Sequence, residues 1–179
     1  TILAAPEDSD ILVLEMGADN FGQLDFLSKL VKPDYTIITN IGESHIEFFG
    51  SRAGIAKAKF EITNGMKKDG FFVYNGDEPL LKELVENSSI NATSCGENSY
   101  NDIILENYTI TRDKIDFKLS IDKNNFSTTL KGKHNLFNIM FAVAIAKKIG
   151  LTNEEIRHAI DNISKITNMR LESITYGED

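Results

Sequence analysis

Tryptophan is absent from the 179 residues, proline occurs three times and cysteine once. Cys95 alone cannot form an internal disulfide. A single thiol also rules out Cys-rich zinc spacing and, without a convincing partner, argues against a thiol nucleophile. Cysteine usage of this kind leads to the expectation of a cytoplasmic protein. No run approaches the roughly 18 apolar residues that span a bilayer, so no helical membrane insertion is expected. The opening Thr1-Ile2-Leu3-Ala4-Ala5-Pro6 lacks the basic flank and the length of a signal peptide. Positive charge is scarce as well: 19 Lys and Arg against 27 Asp and Glu leave a net charge of −8. Nucleic-acid backbones demand clustered Lys and Arg, so that class of partner is not expected. A small phosphorylated ligand stays open, because a metal ion can mediate between carboxylates and phosphates. Neither a Gly-x-Ser-x-Gly elbow nor a Gly-x-x-x-x-Gly-Lys-Ser/Thr phosphate loop occurs, and no internal repeat or low-complexity stretch is present.

What is present is the composition of a soluble globular chain, 41% hydrophobic and 26% charged, long enough for one domain and part of another. Ile11-Leu12-Val13-Leu14 and Tyr35-Thr36-Ile37-Ile38-Thr39 are short apolar runs that suit strands buried on both faces of a parallel sheet, and Phe71-Phe72-Val73-Tyr74 is a third. Helical spacing separates them, over Phe21 to Lys32, closed by Pro33, and over Ser51 to Met66. Glu78 to Glu86 predicts a short helix and Ala92 to Cys95 one more strand. From Ile103 the texture changes. Residues 103–105, 108–111, 115–119 and 126–130 read as short strands between Asp, Asn and Lys turns, an antiparallel patch with one wet face. Helices return at Asn135 to Ile149 and Asn153 to Ile163, and Met169 to Tyr176 could begin a last strand. The fold class is α/β, a mostly parallel sheet flanked by helices with a small antiparallel patch.

Open parallel sheets bind ligands beyond the carboxyl ends of their strands. Three such ends carry polar residues here: Glu15, then Asn40 with His45 shortly after, then Asn75 and Asp77. A carboxylate at a strand end is well placed for magnesium, which takes oxygen ligands and keeps several waters. Local capping by Glu15, a surface role for His45 and a simple Asn-Gly-Asp turn are the competing readings.

Read together and in order, Glu15-Met16-Gly17-Ala18, the stretch Ile38 to Glu47 (ITNIGESHIE) and Ala56 to Ile62 (AKAKFEI) resemble the Mur ligases of peptidoglycan synthesis. Phe48 to Ile55, Asn75-Gly76-Asp77, Gly132 to Asn138 and Met169-Arg170-Leu171-Glu172 extend the resemblance over nearly the whole chain. Within the family, the motifs are nearest to the branch that joins D-alanyl-D-alanine to UDP-N-acetylmuramoyl-tripeptide. Another Mur ligase, a folylpolyglutamate synthetase and a non-catalytic nucleotide-binding module of the same fold are the alternatives.

The resemblance implies three domains: a UDP-sugar-binding domain, a central ATPase domain and a carboxy-terminal domain that recruits the amine. Residues 1–165 are then expected to be the central domain without its phosphate loop, and 166–179 a connection toward the third domain. The chain on its own is expected to be inactive. The implied cofactors are ATP and Mg2+, and the implied chemistry is an acyl phosphate attacked by the amine. Carried over position by position, Glu15 and His45 match magnesium-binding residues and Lys59 matches a lysine that is carbamylated. Asn135 and Asn138 match an adenine-binding segment, and Arg170 an arginine that approaches the terminal phosphates. Surface lysines at 57 and 59, helix-capping asparagines and an exposed ion-pairing Arg170 are the plainer alternatives. Lys57 and Lys59, two positions apart, should face different ways, one to the site and one to solvent. Glu15 and Glu61 are expected to favour the ammonium form of Lys59.

Overall fold

The computed structural model describes residues 5–163. The strand expected from Met169 and the phosphate-directed Arg170 lie outside the described residues. Six strands form one sheet in strictly sequential order: β1 Tyr35–Ile38, β2 Phe71–Asn75, β3 Ala92–Gly96, β4 Ile103–Ile110, β5 Ile115–Leu119 and β6 Phe126–Thr128. β1 to β4 run parallel, and β4, β5 and β6 pair antiparallel. The helices are α1 Gln23–Val31, α2 Ile46–Phe49, α3 Arg52–Phe60, α4 Pro79–Glu86, α5 Lys133–Lys148 and α6 Asn153–Asp161.

β2 shows why a near-continuous apolar run makes a central strand. Successive side chains point to opposite faces, and both faces are covered. Phe72 and Tyr74 pack with Phe49 of α2, Ile55 and Ala58 of α3 and Leu81 of α4. Phe71 and Val73 pack on the other side with Leu136, Met140 and Val143 of α5. Each fully buried side chain of this size contributes roughly 1.5–3 kcal/mol. β5 alternates instead, with Ile115, Phe117 and Leu119 buried and Asp116 and Lys118 only partly so. That is the expected signature of a sheet with one wetter face.

Three differences from the sequence reading have physical causes. Ile11–Leu14 forms no strand, and Ile11, Leu12 and Val13 are exposed. An extended segment is a strand only if its N–H and C=O groups find a ladder partner. β1 pairs with β2 alone, and a wide cavity rather than hydrogen bonds lies between β1 and residues 11–14. Second, residues 103–105 and 108–111 are not two strands. Residues 103–110 form the single strand β4, which carries a register shift between Leu105 and Asn107, so the break in alternation marks a bulge and not a turn. Third, the helix expected over 51–66 is shorter: α3 ends at Phe60 and tightens into a 3-10 turn over Glu61–Thr63.

Glu61, the first residue of that turn, serves another helix. Its carboxylate accepts from the backbone N–H of Gly22 at 2.8 and 3.0 Å and from Asp25 at 3.4 Å. It therefore caps α1, whose own preceding residue, Gly22, has no side chain to do so. A second carboxylate, Asp77 at the end of β2, ties down the turn that follows β3. It accepts from Glu97 N (2.6 Å), Asn98 N (3.2 Å), Asn98 Nδ2 (2.7 Å) and Asn101 Nδ2 (2.8 Å). Parallel neighbours normally need a long crossover. Here only Cys95–Gly96 and Ile103–Ile104 overlap, so the connection turns locally and Asp77 fills its centre.

Candidate functional site

The site forms at the carboxyl end of β1, along the cavity of about 1510 Å³ that separates this strand from residues 11–14. Glu15, His45, Lys59 and Asn138 all contribute to its lining. Three of these four come from different loops and helices on one side of the chain, and Asn138 comes from the first turns of α5.

The loop from Asn40 to His45 is built from its root outward. Asn40 Oδ1 accepts from the N–H of Ile41 at 2.8 Å, and the Ile41 side chain is 2% exposed, buried against Phe49 and Ile55. The loop then runs through exposed residues to His45, whose φ of 62° places it in the left-handed region. Few non-glycine residues adopt that conformation. It lets the His45 carbonyl accept from Phe48 and Phe49, so His45 caps the four-residue α2 while its ring stays exposed at the cavity. The sequence pattern predicts a plain loop here, and the structure instead places the short helix α2 in it.

Lys59 lies on α3, half-buried, and its Nζ donates to the Asn40 carbonyl at 3.1 Å. Burial pushes the amine below the ordinary lysine value. The expectation that Glu15 and Glu61 favour the ammonium is corrected: the Glu61 carboxylate is turned to the start of α1, and desolvation, with no contribution from either carboxylate, is what shifts Lys59. Lys57, two positions earlier, is exposed and contributes nothing to the cavity.

Asp19 joins the lining four residues after Glu15. Its carboxyl is held below the ordinary value by hydrogen bonds from Gln23 and Asn20, with His45 a smaller contribution. Sequence spacing gave no reason to select it. Among the described residues no group of three or more His, Cys, Asp or Glu side chains converges in a metal-holding cluster. Magnesium needs fewer, since one or two carboxylates with water and phosphate oxygens complete its shell.

Asn135 is not part of the cavity lining. Its Nδ2 donates to Lys131 O at 2.7 Å, and its Oδ1 accepts from Asn138 Nδ2 at 3.4 Å. Asn75 and Asp77, left open by the sequence, serve the turn after β3: Asn75 Oδ1 accepts from Asp77 N at 3.0 Å, which presents the Asp77 carboxylate to its donors. Arg52 and Glu78 were also missed. Arg52 Nη2 donates to Ile41 O at 3.0 Å and to Glu78 Oε2 at 2.7 Å. The pair Glu78-Pro79 before a helical run was the available signal, because it marks a helix start.

A helix-flanked parallel sheet with polar residues gathered beyond a strand end defines an α/β protein with the strand-end site at which such sheets bind ligands. Comparison with known proteins makes the assignment specific. Residues 1–146 match the Mur ligase middle domain, and the chain belongs to the Mur ligase family. It is 42% identical to the UDP-N-acetylmuramoyl-tripeptide--D-alanyl-D-alanine ligase of Bacillus subtilis over 97% of this chain and 37% of that protein. Identity to the Escherichia coli enzyme of the same name is 28%, over 93% of this chain and 38% of that one. Among solved structures, MurF from Acinetobacter baumannii superposes with a TM-score of 0.82 at 28% identity, covering 91% of this chain and 36% of that one. The chain thus spans little more than a third of the length of these relatives.

Proposed function

We propose that this chain is the nucleotide-handling part of an ATP-dependent cytoplasmic ligase that joins D-alanyl-D-alanine to UDP-N-acetylmuramoyl-tripeptide in peptidoglycan synthesis. The observation that carries the reading is the meeting of Glu15, His45 and Lys59 on one cavity in a chain 42% identical to the Bacillus subtilis ligase of that activity.

The donor chemistry fits Mg2+: Glu15 offers a carboxylate, His45 an imidazole, and both are exposed so that water and phosphate oxygens complete the shell. These two residues would hold the ion, which supplies neutralisation of phosphate charge when bound. Lys59 has the property that carbamylation requires, an amine biased toward its uncharged form by burial. The ammonium first gives one proton to solvent; the uncharged amine then attacks carbon dioxide, forms the N–C bond and releases a second proton, so that a cation becomes a carbamate anion facing the cavity. Asn138, at the start of α5, is assigned to the adenine with Asn135 bracing it at 3.4 Å. Arg170 is assigned to the terminal phosphates. Catalysis in such a site is positioning and charge neutralisation.

The test uses the full-length protein with ATP, Mg2+, UDP-N-acetylmuramoyl-tripeptide and a panel of amines. D-alanyl-D-alanine should be ligated with release of phosphate, and single amino acids should not. Lys59→Ala should abolish turnover, with partial rescue by short carboxylic acids, and labelled bicarbonate should give a carbamate carbon signal in the parent and not in the variant. Ligation of a single amino acid in place of the dipeptide would overturn the substrate assignment. Full activity of Lys59→Ala without rescue would overturn the role of Lys59.

A further inference from the structure

Arg52 and Lys59 stand seven residues apart on α3, two helical turns, so they project from one side of the helix. They reach consecutive carbonyls of one loop, Lys59 Nζ that of Asn40 at 3.1 Å and Arg52 Nη2 that of Ile41 at 3.0 Å. Arg52 is itself held. Glu78 Oε2 lies 2.7 Å from the same nitrogen, and the Glu78 side chain is 8% exposed against 44% for Arg52. The other Glu78 oxygen accepts from Leu80 N at 3.3 Å, which fixes the carboxylate to the start of α4. One guanidinium therefore joins three elements: the α3 helix that carries Lys59, the root of the loop that carries His45, and the capped end of α4.

Residues 42–45 beyond Ile41 are exposed, so the position of His45 depends on how firmly the root is held. Resting on the reading of His45 as a magnesium residue, we infer that Arg52 is a positioning residue for that site. It fixes the Ile41 carbonyl against α4 and so aims the imidazole into the cavity. The role suits arginine, whose planar N–H groups have fixed directions and whose charge persists in a half-buried pair. It also divides the labour on α3. Lys59 is the cation that carbamylation consumes, and Arg52 is the one that keeps the loop in place afterwards.

The test is Arg52→Met in the full-length ligase, with Arg52→Lys and Glu78→Gln as milder companions should the first fail to fold. Losing one charge-assisted hydrogen bond at the loop root should speed amide exchange of residues 41–46 about tenfold or more, with β2 amides unchanged. The Mg2+ concentration for half-maximal activity should rise by a similar factor, while kcat at saturating Mg2+ stays within about twofold. Arg52→Lys should recover part of the shift. Unchanged loop exchange would overturn the proposal. Faster exchange with an unmoved Mg2+ midpoint would overturn it too, and His45→Ala separates the two causes. If His45→Ala moves the midpoint, Arg52 is a structural brace only. If it does not, the magnesium reading of His45 fails and takes the positioning role with it.

Discussion

Replacing Asp77 with asparagine keeps the shape of the side chain and removes the charge at the centre of four donors. The carboxylate accepts from Glu97 N at 2.6 Å, Asn98 N at 3.2 Å, Asn98 Nδ2 at 2.7 Å and Asn101 Nδ2 at 2.8 Å. An asparagine offers one oxygen and turns an NH2 group toward N–H donors, so at least one oxygen's partners are left unpaired. Hydrogen bonds to a charged group contribute about 1.5–3 kcal/mol each, so a local loss of about 2 kcal/mol is a conservative figure. That corresponds to roughly thirtyfold weaker protection, read as native-state hydrogen exchange at the Glu97 and Asn98 amides. The pH dependence has a definite sign. Burial pushes the Asp77 carboxyl up, but the Glu97, Asn101 and Asn98 donors together outweigh it and hold it below the ordinary 3.8. A depressed carboxyl contributes stability that is complete above its unfolded value and fades as pH falls through the folded one. Protection factors for these two amides should therefore be flat above about pH 4 and fall below it, and Asp77→Asn should lack that acid limb. Equal protection in parent and variant at neutral pH would show that the turn after β3 is held by its own backbone and not by Asp77.

Two further outcomes follow from the same kind of accounting. Glu61→Ala should loosen α1 by about 1–2 kcal/mol, since among the described residues no other side chain caps its start, and exchange at the Gly22 and Asp25 amides should report it. Retained protection there would mean that solvent caps the helix equally well. Burial pushes the Cys95 thiol up to about 12, so thiol reagents at pH 8 should label it only as fast as the protein opens. Rapid stoichiometric labelling under native conditions would contradict its position in the core.

Much of this molecule could be read from local pattern. The runs Tyr35–Thr39 and Phe71–Tyr74, the helical spacing of α1, α3, α4, α5 and α6, and the change of texture at Ile103 all correspond to elements of the structure. In β2 period and burial coincide, since a run apolar at every position suits a strand covered on both faces. β1, expected to be buried on both faces, alternates instead, with Tyr35 and Ile37 exposed along the cavity. The opposite facing of Lys57 and Lys59 was legible for the same reason, from helical spacing alone. The Ile11–Leu14 run has the composition of a strand, but among the described residues it pairs with no strand of the sheet.

The sequence by itself thus determined most of the elements, their class and the residue types able to meet a metal and a phosphate. Tertiary structure alone decided which of them meet. Glu61 lies two residues from Lys59 yet serves α1, 39 residues away from its Gly22 contact. Arg52 donates both to Glu78, 26 residues away, and to the carbonyl of Ile41. Asp77 closes a turn more than twenty positions downstream. Hydrogen bonds between distant segments have no period and no composition to announce them. They are set by where the sheet places its strand ends, and that depends on the packing of both core clusters at once.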